Sequence, residues 1–158
     1  ELILRTDQLF PGYFENDQAT RQVVRDGWYY TNDMAVIGED GYLTVTGRVD
    51  DMIISGGELI PPAEVEDAIE SQEQVTSAVV VGQSDEEWGE RVVAYVATDT
   101  DLSEAELDSY LKENGTLADY NRPKEYNFVE EIPRTGGGKK RRRRRRFQHG
   151  RRRARDRI

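Results

Sequence analysis

Gly56-Gly57, set between the apolar run Met52-Ile53-Ile54 and the paired prolines Pro61-Pro62, restricts the fold of this chain more than any other stretch. Two consecutive glycines permit positive φ and let a ligand approach the backbone closely. Upstream, Gly47-Arg48-Val49-Asp50-Asp51 reads as a strand end entering a charged turn, and Val49, Met52, Ile53 and Ile54 supply a short apolar strand. Downstream, proline suits a helix start because the first turn leaves amides unpaired in any case. Val65, Ala68 and Ile69 then recur at helical spacing. Pattern alone gives a β-turn-α connection and no chemistry.

Residues 1–46 read as β-rich. Leu2, Ile3 and Leu4 form a short strand, Phe10 to Phe14 an aromatic turn, and Ala19 to Val24 a short helix. Trp28-Tyr29-Tyr30 leads to Thr31-Asn32-Asp33, and Met34 to Ile37 pairs with Tyr42 to Thr46 across Gly38-Glu39-Asp40-Gly41. That is too few strands to close a core. After Asp51 the elements alternate. A helix over Pro61 to Ser71 has an acidic first turn that suits the helix dipole. Val75 to Val81 is β-branched enough for a buried strand, a loop carries Trp88-Gly89, and Arg91 to Ala97 is a second strand. Ser103-Glu104-Ala105-Glu106 makes a capping box for a helix with Leu107, Tyr110 and Leu111 on its apolar face and Gly115 at its end. Tyr126 to Val129 is a third strand. The expected class is α+β, with a mixed three-stranded sheet and helices in the second part and a domain boundary near Asp50.

At 158 residues the chain holds one ordinary domain with an appended piece of another. It begins at Glu1 with no initiator Met, basic leader or apolar signal core. No apolar run approaches membrane-spanning length, so a soluble protein without a membrane partner is expected. The absence of Cys excludes a disulfide frame and a thiolate metal site and suits a reducing cytoplasm. His149 stands alone, which argues against a histidine-based metal site or triad.

Charge is divided unevenly. Residues 139–158 carry +12, from 13 Lys and Arg against Asp156, whereas residues 1–138 carry −21. So acidic a body, with Lys112 and Lys124 its only lysines, suggests a surface adapted to high salt, where screening removes self-repulsion. The Arg-rich tail composition predicts a disordered segment that binds nucleic acid or acidic surfaces only electrostatically. It has no interleaved aromatics beyond Phe147 and no recognisable nucleic-acid module. Asn114-Gly115-Thr116 fits a glycosylation acceptor, which means nothing without a secretory signal.

Residue identities say more than pattern. Gly47-Arg48-Val49-Asp50, Gly56-Gly57-Glu58 and Glu64-Val65-Glu66 together closely resemble the signature of the adenylate-forming superfamily, the acyl-CoA synthetases and their relatives, and within it acid–CoA ligases of the chlorobenzoate type. From Phe10 to Asp33, Gly12-Tyr13-Phe14-Glu15-Asn16 and Asp26-Gly27-Trp28-Tyr29-Tyr30-Thr31-Asn32-Asp33 resemble the last portion of the family's large N-terminal domain. The resemblance spans about residues 1–139. It implies that 1–49 is a β-rich remnant of the AMP-binding domain, 50–138 the small C-terminal lid domain and 139–158 an appended tail. The family's phosphate loop and acyl pocket are not in the sequence, so the chain reads as the C-terminal piece of a longer enzyme.

The resemblance also implies roles. Asp33 sits where the family places the carboxylate that holds the ATP ribose hydroxyls, with Asn32 where glycine is usual; by spacing alone it is a turn aspartate. Arg48 matches the arginine that meets ribose and phosphates, its plain alternative being an ion pair with Asp50 or Asp51. Asp50 matches the hinge about which the small domain swings between two half-reactions. Gly56, Gly57 and the Trp88-Gly89 loop match the border of a pantetheine tunnel, and Tyr120-Asn121-Arg122-Pro123-Lys124 matches an aromatic-x-Arg-Pro-Lys element that meets coenzyme A. Without the family, Trp88 and Tyr120 are core or rim aromatics. Pro133-Arg134-Thr135-Gly136-Gly137-Gly138-Lys139 resembles the loop whose lysine approaches the carboxylate and α-phosphate during adenylation. It is no Walker loop, because Pro133 stands where the first glycine should be. The family continues with an apolar residue and a short helix, whereas this chain continues with Lys140 and six arginines.

The activity so implied is ATP-dependent activation of a carboxylic acid followed by thioesterification with coenzyme A. ATP (with Mg in the complete enzyme) and CoA are the implied cofactors, and the missing N-terminal domain the physical partner. Two other classes stay open: a non-catalytic remnant that keeps its fold, and a basic-tailed protein that binds nucleic acid or anions.

Overall fold

The chain divides between Asp50 and Asp51 into two compact units. The computed structural model describes residues 1–114 and 117–140. The Arg-rich segment 141–158, with Phe147 and His149, and the Gly115-Thr116 pair therefore lie outside the described residues.

The first unit contains β1 (Ile3–Leu4), α1 (Asp17–Val23), β2 (Val24–Arg25), β3 (Trp28–Tyr30), β4 (Asp33–Ile37) and β5 (Leu43–Arg48). Strands β1, β3 and β2 make a small antiparallel sheet, and β4 and β5 a separate hairpin. Gly41, at φ +81°, helps close the β4–β5 turn. Asn16 caps α1 by accepting the amide of Ala19. No residue of this unit is buried; Ile37 and Tyr42 are about three-quarters exposed, at 73% and 75%. Its apolar residues thus lack a core of their own.

The second unit follows a single 3-10 turn, Val49–Asp51. Its elements are β6 (Ile53–Ser55), β7 (Glu58–Ile60), α2 (Pro62–Glu70), β8 (Val75–Asp85), β9 (Gly89–Thr98), α3 (Glu104–Glu113) and β10 (Glu125–Val129). The class is α+β as expected, but the sheet has five strands rather than three. The order is β10-β9-β6-β7, with β8 also paired to β9. The difference arises at the double glycine. It returns the chain on itself so that Glu58–Ile60 pairs with Ile53–Ser55, where a glycine turn leading directly into the helix is expected. Strand β8 also runs on to Asp85 and makes a long antiparallel hairpin with β9. Helix α3 then returns the chain to β10, which pairs parallel to β9.

The buried residues explain the apolar run in β8. Ala78 and Val80 face one cluster with Ile53, Ile60, Val65, Ile69, Leu107 and Leu111, beneath α2 and α3. Val79 and Val81 face a second cluster with Val93, Ala97, Val129 and Ile132. Because successive side chains alternate across a sheet, a strand covered on both faces must be apolar throughout. The capping box of α3 is formed in both directions, with Ser103 Oγ accepting from the Glu106 amide and Glu106 accepting from the Ser103 amide at 2.9 Å.

Candidate functional site

In the first unit Asp33 and Arg48 are direct cross-strand partners, and an Arg48 guanidinium nitrogen stands 3.1 Å from an Asp33 carboxylate oxygen. Arg48 therefore pairs with the other candidate residue of this unit. The pair is partly exposed, so it contributes under about 1 kcal/mol and either group is easily recruited by a ligand. Asn32 adopts φ +60°, the left-handed conformation that its short amide side chain tolerates. Its side-chain amide donates to Asp50 at 2.6 Å, and its carbonyl accepts from Val49 at 2.9 Å. Beside this network is an open cavity of about 270 Å3 lined in part by Tyr13, Arg25, Tyr29, Tyr30 and Arg48. Arg25 stacks over the Tyr30 ring, 4.1 Å from its centre. A hydrogen bond with Tyr13 raises the pKa of Tyr29 above its ordinary value. The arrangement offers an acceptor carboxylate and a bidentate donor side by side.

In the second unit Gly56 and Gly57 form the exposed tip of the β6–β7 hairpin, at φ +59° and +88°. The Trp88 ring covers Gly56 so closely that a Cβ there would lie 3.0 Å from Cε3, whereas Gly57 faces open space. The Gly56 amide donates to the Trp88 carbonyl at 2.9 Å. Asp85 holds the other side of this loop, accepting the amides of Glu87 and Trp88. The glycine turn and Trp88 are thus brought together at the surface, with the indole 47% exposed.

Arg122 and Lys124 form a neighbouring group, separate from the glycine turn. They lie beside a cavity of about 550 Å3 with Glu104, Asp108, Pro123 and Tyr126. Arg122 is held by Asp108 at 2.7 Å and Asp119 at 3.1 Å. Partial burial pushes the Asp108 carboxyl up, but Lys112 and Arg122 outweigh it and hold it below its ordinary value. Burial raises the Tyr126 phenol, and the Asp108 charge adds to the effect. The Lys124 amide donates to Val92, three residues along β9 from Gly89, or roughly 10 Å of strand. Both groups therefore occupy the same end of the sheet. Tyr120 lies in the α3–β10 loop, 51% exposed.

Lys139 is elsewhere. Its loop is a tight turn in which Thr135 donates to the Lys139 carbonyl at 2.8 Å and its hydroxyl accepts the Lys139 amide at 3.1 Å. Arg134 and Lys140 close an antiparallel bridge across it. Arg134 also reaches Ser77 Oγ at 3.4 Å. Ser77 pairs with Ala97, at the end of β9 opposite Gly89. Eight residues of strand, roughly 26 Å, separate the two ends.

Three residues carry structure here that sequence reasoning passed over. Lys140, read only as a departure from pattern, pairs with Glu66 at 3.3 Å and Glu70 at 2.8 Å. Glu90 accepts the Ile54 amide at 3.0 Å, where β6 and β9 otherwise pair only at Ser55 and Gly89. Asp108 collects Lys112, Arg122 and Tyr126. The i, i+4 spacing of Glu66 and Glu70 was the available signal for the first; the other two depend on tertiary pairing. Among the described residues, no group of three or more His, Asp or Glu is arranged to hold a metal ion, and no helix is long and apolar enough to cross a membrane.

Comparison with known proteins places this geometry. Residues 64–139 match the AMP-binding enzyme C-terminal domain. The 2-succinylbenzoate–CoA ligase of Bacillus mycoides is 40% identical over 134 residues, 85% of this chain and 27% of the relative. The o-succinylbenzoate CoA synthetase of Bacillus subtilis, solved with its acyl-adenylate intermediate, superposes with a TM-score of 0.82 at 34% identity, over 89% of this chain and 28% of that one. A Mycobacterium tuberculosis fatty acyl CoA synthetase is 39% identical with a TM-score of 0.62, over 87% of this chain and 27% of that one. The chain spans about a quarter of the length of the curated relatives it matches. By matched domain, sequence and fold, residues 64–139 match the AMP-binding enzyme C-terminal domain, and the chain is similar to a portion, about a quarter in length, of these acid–CoA ligases.

Proposed function

We propose that the chain acts as the mobile C-terminal part of an ATP-dependent acid–CoA ligase, working against a large N-terminal domain in the cytoplasm. In the first half-reaction an acid carboxylate attacks the α-phosphate of ATP, giving an acyl-adenylate and pyrophosphate. In the second, the coenzyme A thiol attacks the acyl carbon and AMP leaves. Residues 1–49 are assigned to the end of the large domain, and 50–138 to the lid. Asp33 accepts the ribose hydroxyls, Arg48 binds ribose and phosphate oxygens, and Lys139 offsets charge developing at the α-phosphate. Gly56, Gly57 and Trp88 border the pantetheine arm, and Tyr120, Arg122 and Lys124 meet the rest of coenzyme A. Asp50 is the hinge. Magnesium, bound with the nucleotide in the complete enzyme, would supply further neutralisation of phosphate charge.

One observation carries this reading. Lys139 and the Gly56–Trp88 surface lie at opposite ends of the β8–β9 hairpin, so one lid cannot offer both to a single active site at once. A lid that turns between half-reactions resolves this. The test is pyrophosphate exchange by the chain together with the separately produced N-terminal domain of the Bacillus mycoides relative. Activity that requires both pieces and is lost in Lys139→Ala supports the proposal; its absence with folded pieces favours a non-catalytic remnant.

The acid used by the relatives makes 2-succinylbenzoate the first to try, with a chlorobenzoate beside it because the sequence resembles that type. The charge of −21 over residues 1–138 favours a salt-adapted surface. Binding of nucleic acid by the Arg-rich segment is the second reading, tested by salt-dependent DNA binding that disappears on deleting 141–158.

A further inference from the structure

Strand β8 pairs with β9 alone among the described strands, so the amides on its other edge need partners. Two carboxylates from successive turns of α2 provide them. Glu70 accepts the Ala78 amide at 2.6 Å, and Glu66 accepts the Val80 amide at 3.0 Å. Glu66 is 2% exposed, and a carboxylate so buried needs a cation as well as hydrogen bonds. Lys140 places its ammonium within ion-pair distance of both glutamates.

That contact has a directional consequence. Lys140 lies in the bridge with Arg134, where consecutive side chains point to opposite sides. With Lys140 held inward against α2, Lys139 is directed outward, and it is exposed. Arg134 braces the same turn by donating to the Gly138 carbonyl at 3.0 Å. We propose that Lys140, clasped by Glu66 and Glu70, is a positioning residue that fixes the 135–139 turn and the outward direction of Lys139. The inference rests on the assignment of Lys139 to adenylation.

The experiment uses the full chain as wild type, Lys140→Ala, Lys140→Arg and Glu70→Gln. Amide exchange at Gly138 and Lys139 is read by NMR, and pyrophosphate exchange is read with the relative's N-terminal domain supplied. Lys140→Ala should speed exchange in the turn about fivefold while β9 amides are unchanged. It should also lower kcat about tenfold with little change in the KM for ATP, and Lys140→Arg should restore both. Unchanged turn exchange in Lys140→Ala overturns the proposal, as does a loosened turn with unchanged kcat. If Lys140→Ala unfolds, Glu70→Gln is held to the same two outcomes. If wild type gives no pyrophosphate exchange, the functional assignment falls, and turn exchange alone decides whether Lys140 holds the loop.

Discussion

The ring of Trp88 occupies the space that a side chain on Gly56 would need, with its Cε3 atom 3.0 Å from where the Cβ would stand. The two residues are also joined through the backbone, amide to carbonyl. Gly56→Ala must therefore push the indole aside and hold alanine at φ +59°. Gly57→Ala, facing open space at φ +88°, meets the backbone penalty alone. We expect losses of about 2 to 3 kcal/mol and about 1 kcal/mol respectively in urea unfolding. In a Trp28→Phe background, only Gly56→Ala should shift the emission of Trp88.

Gly82 and Glu90 form a second pair of this kind. A Cβ on Gly82 would lie 2.8 Å from the Glu90 carboxyl group, the group that accepts the Ile54 amide. The neighbour is the end of a flexible side chain, so Gly82→Ala should be tolerated by displacing it. The expected price is the hydrogen bond to β6, about 1 kcal/mol. Glu90→Ala removes the same bond, and the double variant should lose less than the sum of the singles. Urea unfolding of all four proteins measures the coupling; strict additivity would show that the Glu90 contact does not hold the hairpin.

Acid should weaken the second unit through particular carboxylates. Glu70 lies below its ordinary value because Lys140, the Ala78 amide and Ser77 outweigh its partial burial. Asp108 is held low by Lys112 and Arg122 against the same penalty. A carboxylate depressed in the folded state adds stability above its unfolded pKa, roughly 4, and that stability disappears as pH falls through the folded value. The thermal midpoint should hold steady near neutrality and drop below about pH 4. Asp108→Asn should start lower at neutral pH and fall less in acid.

Sequence reading reached most of the second unit because its signals are local. The apolar run of β8, the capping box of Ser103 and Glu106 and the proline start of α2 each act within a few residues. The β6–β7 hairpin was missed because Glu58-Leu59-Ile60 is too short to show alternation, and only pairing with Ile53–Ser55 makes it a strand. At the site, Gly56 and Trp88 were legible as residues that belong together, whereas the anchoring of Lys140 was not. Its partners are 70 and 74 positions away, and a lysine before a run of arginines looks like composition. The Asp33–Arg48 contact was half legible, since the hairpin was read but not its register.

Salt should raise stability despite the ion pairs. Several of these are exposed and contribute little, so screening them loses little. Residues 1–138, by contrast, carry −21, and at low ionic strength these carboxylates repel one another over roughly 10 Å or more. Lys112 and Lys124 are the only lysines among them, too few to interleave the acidic surface. Deleting 141–158 removes most of the compensating positive charge and should make the dependence steeper. The thermal midpoint measured from about 0.05 M to about 2 M KCl should climb through the whole range, past the point where ordinary Debye screening is complete. A midpoint that levels off near 0.3 M would mean simple screening of an acidic protein, and a flat one would remove the salt-adapted reading altogether.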